Sequence, residues 1–335
     1  MKVRRFLNSM LPATALLVAL VVPGIGGCES TPKGESADSV AKEAPVQVSE
    51  LNIVAAASLG HVLAEFEKNF EQSHPGLDVR VRTGGSTALA RQVLDLGSKA
   101  DVLLLADEKL FSELLEPAWC KAHVKFASER VVIAYTNGSV AADEINAENW
   151  HEVLLRDDVK VGMADPDKAP VGYRTRMLLQ LAELDLPGSD LEAKTLAKVG
   201  TAGMRADVAE LLAPLQAGAM DYAFVYGTTA ATAGLRILEL PEKINLSSPD
   251  LAEHYAKASV TVAGRNPGET ITRKGKPIVY GASLNGQTPA RELAGEFLAL
   301  LLSEQGSRML STEGFQVRAV EGDLSAAGLL ERLSK

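Results

Sequence analysis

Short apolar runs recur along this chain, and most of them stop at Ser, Gly or Thr before a helical pattern takes over. Leu51 to Ala57 is the first such run. It is too short for a helix and suits a strand buried on both faces. Ser58 follows, and then Val62, Phe66 and Phe70, with Leu59 and Leu63 beside them, mark one face of a helix. Val79 to Thr83 reads as a second strand, Gly84-Gly85-Ser86-Thr87 as its turn, and Leu89, Val93 and Leu94 as the next helix. Val102 to Leu105, Val131 to Ala134, Val159 to Met163 and Ala223 to Tyr226 are further buried strands. Met177, Leu178 and Leu181 mark a helix after Pro170, and Val208, Leu211, Leu212 and Leu215 another, which Pro214 is expected to kink or break. Strand alternating with helix predicts an α/β fold with parallel sheets.

The N-terminus follows different rules. Lys2, Arg4 and Arg5 precede the apolar run Leu11 to Val22, the layout of a secretory signal rather than of a membrane span. The run ends at Ile25-Gly26-Gly27-Cys28, which resembles a bacterial lipobox with Cys28 as the lipidated first residue of the mature chain. Residues 28–50 are Ser, Thr, Pro, Lys, Glu and Ala with little to bury, a solvated tether reaching roughly 25 Å. The whole chain has 335 residues and carries −9; without residues 1–27 it loses three positive charges and no negative ones, leaving −12. That balance excludes a general nucleic-acid binder. Two cysteines cannot build a disulfide scaffold or a four-cysteine zinc site. Cys120, beside Pro117, Ala118 and Trp119, reads as a buried unreactive thiol.

Sheets of this kind take ligands beyond the carboxyl ends of their strands. Helix starts there carry unpaired N–H groups and partial positive charge, and several converging on one point form an anion site without Lys or Arg. Ser58, Ser86, the Val171 and Val208 amides and the Tyr226 hydroxyl are the candidates. Ser58 and Ser86 taken singly also fit plain helix N-caps. Catalytic patterns are weaker. Neither serine sits in a Gly-x-Ser-x-Gly elbow, the five histidines (61, 74, 123, 151 and 254) share no metal spacing, and Gly275-Lys276 runs into Pro277 rather than forming a phosphate loop. A Ser58–His61 pair on one helix turn leaves a secreted hydrolase as an alternative. Asp165 and Asp167 beside Pro166 read as turn chemistry.

Taken together, Ala57-Ser58-Leu59, Gly85-Ser86-Thr87, Lys99-Ala100-Asp101-Val102, Ala141 to Trp150, Pro170-Val171-Gly172-Tyr173-Arg174, Gly218 to Tyr226 and Gly275 to Gly281 carry a resemblance. From about Leu51 to Val320 the chain resembles the molybdate/tungstate-binding proteins of ABC importers, closer to the lipoprotein branch typified by WtpA than to ModA. The resemblance implies a two-lobed periplasmic-binding-protein-like fold (type II) with two chain crossovers. Residues 51–133 and 258–335 would form lobe I and 134–257 lobe II. It implies no catalysis and no cofactor. It also implies a lipid-anchored, extracytoplasmic monomer that delivers its oxyanion to a permease, with Ser58, Ser86, Val171, Val208 and Tyr226 as the donors.

In the archaeal branch two carboxylates approach the metal. The matching positions here are Ala169 and Val208, with Asp167 and Asp207 nearby but out of register. The expectation is therefore a tetrahedral dianion held by donors only, with no protein carboxylate on the metal. Molybdate and tungstate carry no proton at neutral pH, whereas phosphate brings one that such a site leaves unpaired. The other open readings are sulfate or another oxyanion on the same scaffold, and a surface lipoprotein with an adhesive or structural role.

Overall fold

The computed structural model describes residues 50–322 apart from 265 and 267. The signal peptide, Cys28 and all but the last residue of the tether lie outside the described residues.

Thirteen strands are described: β1 (Glu50–Ala56), β2 (Asp78–Gly84), β3 (Val102–Leu105), β4 (Val124–Glu129), β5 (Val131–Tyr135), β6 (Val161–Ala164), β7 (Met204–Arg205), β8 (Tyr222–Tyr226), β9 (Arg236–Leu238), β10 (Ser259–Ala263), β11 (Thr270–Lys274), β12 (Ile278–Leu284) and β13 (Gln316–Gly322). They form a six-stranded sheet, β13-β4-β12-β3-β1-β2, a five-stranded sheet, β7-β6-β8-β5-β9, and the separate hairpin β10-β11.

The apolar runs are continuous because both faces of the first sheet are covered. Along β1, Ile53 and Ala55 face one core while Val54 joins the other; along β3, Val102 and Leu104 alternate in the same way with Leu103 and Leu105. On one side the helix Gly60–Ser73 packs Phe66 and Phe70 against Phe297 of the helix Arg291–Leu302. On the other, the helix Ser86–Asp95 brings Leu89 and Val93 onto Val54 and Leu103. Cys120 lies in this second core, where burial pushes its thiol up to about 12. The edge strand β2 instead exposes charged residues on its outer face, which keeps the sheet end from pairing with another chain.

The sheets are mixed rather than purely parallel. β1 pairs in parallel with β2 and β3, and β6 with β7 and β8. β12, β4 and β13 pair antiparallel in the first sheet, as does β5 with β8 and β9 in the second. The physical reason is the route of the chain. A parallel neighbour needs a return connection across the sheet, usually a helix. β4 and β5 are separated by Arg130 alone and carry the chain straight from one sheet into the other. Sheet membership therefore changes at Arg130, and the expected lobe boundary between residues 133 and 134 falls inside β5. The second crossover returns the chain to β12. The segment around Pro214 is broken into two short pieces, a turn at Ala209–Leu211 and the helix Leu212–Gln216, which contains the proline.

Each sheet thus keeps one parallel trio, β1-β2-β3 and β6-β7-β8. The carboxyl ends of these trios supply the surfaces that face each other across the cleft.

Candidate functional site

A small pocket of about 200 Å³, mouth included, lies between those ends. The turn after β1, the end of β2 with the residues that follow it, and Ala106 after β3 line it from the first lobe, through Ser58, Gly84 to Ser86 and Ala106. Ala169 to Val171, Asp207, Val208 and Tyr226 line it from the second, following β6, β7 and β8. The structure therefore brings all five expected residues, Ser58, Ser86, Val171, Val208 and Tyr226, to one place.

Each element delivers its donor for a local reason. Ser58 sits in the short turn Ala57–Leu59 that leads from β1 into the helix Gly60–Ser73. Ser86 opens its helix with Gly85 in the capping position, and neither helix start has a side-chain cap. The two serines are thus not N-caps. The helix Pro170–Glu183 also starts uncapped, on Ala169 with Pro170 at its first position. The Val171 N–H falls in that first turn, where the helix offers it no acceptor.

The hydroxyls are set up to donate. The Ala106 N–H donates to Ser86 Oγ at 3.0 Å. The Arg174 guanidinium donates through Nη1 to Tyr226 Oη at 2.7 Å. A hydroxyl whose oxygen is already accepting keeps its hydrogen for another partner. Ser58 Oγ lies 2.8 Å from Tyr280 Oη, a bond in which either hydroxyl can donate. Burial pushes Tyr226 up to about 12, with Arg174 opposing, so the phenol keeps its proton at neutral pH.

Gly85 marks the place where the lobes touch. A Cβ there would stand 2.5 Å from the Lys168 carbonyl oxygen and 3.1 Å from that of Ala206. Next to it the Ala88 N–H donates to the Lys168 carbonyl at 3.1 Å. Gly85 has φ −67°, so close approach of backbone, not an unusual conformation, is what requires glycine.

Three findings go beyond the sequence reading. Asp207 stands on the pocket wall, so the lining is not free of carboxylates. Its Oδ1 accepts from the Ala209 and Glu210 N–H groups at 2.9 and 3.2 Å, and partial burial raises its pKa despite those bonds. Asp167 is turned to other work, accepting the Ala263 N–H at 2.8 Å. Arg174, for which the sequence suggested no role, lies 2 % exposed behind Tyr226. Finally, Ser58 and His61 do not pair: His61 is 67 % exposed and its Nδ1 meets Glu313 at 2.8 Å.

Behind the pocket the charges are dense. Asp107 is ringed by Lys276 at 2.9 Å, Arg174 at 3.7 Å, Arg273 at 3.8 Å and the Tyr173 hydroxyl at 2.6 Å. Burial opposes its charge, but these groups win and hold its carboxyl well below the usual range. Nearby, His123 bonds Glu116 at 2.7 Å and Glu108 at 3.3 Å. Burial works against the imidazolium, and the two carboxylates outweigh it and raise its pKa. Among the described residues no cluster of His, Cys, Asp and Glu is suited to a metal ion.

Residues 51–316 match the family described as bacterial extracellular solute-binding protein. The chain belongs to that family. An uncharacterised solute-binding protein of Petrotoga mobilis is 37 % identical over 79 % of this chain and 83 % of its own. The molybdate/tungstate-binding protein WtpA of Pyrococcus abyssi is 33 % identical over 89 % of both chains. Among solved structures, the periplasmic molybdate-binding protein of Azotobacter vinelandii has a TM-score of 0.58 at 17 % identity, covering 80 % of this chain and all of that one. That likeness establishes the two-lobed type II fold for this member of the solute-binding family. The family's extracellular description places its work outside the cytoplasm.

Proposed function

We propose that this solute-binding protein captures molybdate or tungstate as a tetrahedral dianion in the pocket between its lobes and hands it to an ABC permease. The observation that carries this reading is the donor set. Three hydroxyls from both lobes, two of them with their oxygens already accepting, converge with helix-start amides, and no Lys or Arg lines the pocket. Each bond to a charged oxygen contributes roughly 1.5–3 kcal/mol. Five such bonds outweigh the desolvation and ordering costs of binding a small ion. The 33 % identity to the WtpA of Pyrococcus abyssi supports the choice of ligand.

The protein carries out no reaction in this scheme and needs no cofactor. Ligand contacts made from both sides favour the closed arrangement, which is the signal passed on. Cys28 would be the lipid attachment and residues 29–50 the leash that keeps the lobes within reach of the membrane. Isothermal calorimetry with molybdate, tungstate, sulfate and phosphate tests the reading. Tight binding of the first two with weak or no binding of phosphate is the expected result. Preference for sulfate would move the protein to another oxyanion on the same scaffold. Absence of heat with all four would overturn the proposal.

A further inference from the structure

The geometry points to Arg174 as the residue that decides specificity at this pocket from behind it, by holding Tyr226 as a hydrogen-bond donor. The inference rests on the oxyanion reading above and deepens it.

Arg174 belongs to the second lobe, on the helix Pro170–Glu183, yet it reaches both lobes. Its Nη1 donates to Tyr226 Oη at 2.7 Å and to the Ala106 carbonyl, in the first lobe, at 2.5 Å. Ala106 in turn gives its N–H to Ser86 Oγ. One buried guanidinium thus fixes the direction of the Tyr226 hydroxyl and ties down the residue that fixes that of Ser86. Arg174 is absent from the pocket lining, so it touches no ligand; it is a positioning residue. Burial opposes its charge, while the hydrogen bond to Tyr226 and the Asp107 carboxylate favour it.

The chemical consequence concerns protons on the ligand. A tyrosine oxygen that already accepts a short bond from a buried guanidinium is a weakened acceptor, and its hydrogen is left to point into the pocket. A dianion without protons, such as molybdate, accepts from it. Monohydrogen phosphate brings a P–O–H that needs an acceptor; Tyr226, engaged by Arg174, is a poor one, which leaves the Asp207 carboxylate as the acceptor on the wall. Without the guanidinium the hydroxyl is free to rotate, and its oxygen becomes available to that proton. Removing Arg174 should therefore weaken molybdate and spare or improve phosphate. A purely structural loss would weaken both together.

Calorimetry at about pH 8, with molybdate and with inorganic phosphate, on the wild type, Arg174→Met and Arg174→Lys tests this. The molybdate-over-phosphate affinity ratio is expected to fall at least about tenfold in Arg174→Met and to recover partly in Arg174→Lys, whose ammonium can still donate to Tyr226. An unchanged ratio in folded Arg174→Met overturns the inference. Should that variant fail to fold, Tyr226→Phe decides. Loss of molybdate affinity by about tenfold or more with phosphate unaffected supports the inference, while unchanged molybdate affinity, or an equal loss for both ions, overturns it. Wild-type protein that binds no molybdate or tungstate refutes the functional reading itself, a result distinct from tight wild-type binding with an unchanged ratio.

Discussion

The first lobe brings serine hydroxyls at helix starts to the pocket, whereas the second brings Val171 and Val208 at the starts of helical turns and one phenol with a buried cation behind it. The lobes hold similar parallel trios, so the difference lies in the residues just past each strand. In the first, small residues crowd the strand ends: Ala57-Ser58 after β1 and Gly85-Ser86 after β2. In the second, Ala169 and Pro170 precede one valine and Asp207 the other. Hydroxyl donors depend on residue identity, while amide donors depend only on backbone course. The two walls of one pocket should therefore respond to mutation in different ways.

The largest effect is expected where the walls meet. Gly85→Val pushes carbon into the Lys168 and Ala206 carbonyls, which are backbone and cannot swing aside. Molybdate binding should weaken about a hundredfold or more, roughly 2.7 kcal/mol, and small-angle scattering should show no ligand-induced compaction. Wild-type affinity in this variant would mean that the lobes need not touch. The next effect separates side chain from backbone. Ser58→Ala and Ser86→Ala should each cost roughly 1–3 kcal/mol in binding. Val171→Ala should cost little, because the N–H stays, but Val171→Pro, tolerated in a first helical turn, should cost about as much as losing a serine. Equal losses in Val171→Ala and Val171→Pro would break the distinction.

A smaller change concerns Asp207. Asp207→Asn removes a negative charge from the pocket wall and should tighten dianion binding by up to about tenfold, measured by calorimetry at low salt. Weaker binding would instead show that the carboxylate serves the ligand. The smallest effect lies outside the pocket, at His123. Its folded pKa is raised, so its contribution to stability is complete below the unfolded value of about 6.5 and is lost as pH rises through the folded value. Urea unfolding between about pH 6 and 8 should show stability falling with pH in the wild type, and a shallower fall in His123→Gln.

Much of this was legible in the chain. Runs such as Val102 to Leu105, apolar at every position, could only be strands covered on both faces, and the Ser and Gly at run ends located the pocket. Strand direction was not legible, because nothing in the composition of β5 tells whether a helix or a crossover delivers it. Asp207 was named but set aside as out of register, and Arg174 was missed. The turn after β7 puts Asp207 on the pocket wall beside Val208, which chain position alone did not show. Arg174 sat in a recognisable segment, but a buried cation bonded to a tyrosine far along the sequence leaves no local pattern. Its one signal was an arginine four residues after Pro170 on a helix whose other inward positions carry no charge.

The chain link at Arg130 has a mechanical consequence. The Arg130 carbonyl accepts the Gly227 N–H at 3.1 Å and the Glu129 carboxylate accepts that of Thr228 at 3.1 Å, directly beside Tyr226. The fulcrum thus stands next to the load. In the proposed closure, a shift of about an ångström beside the guest would be magnified at the distant rims, so a very small ion would throw a large switch.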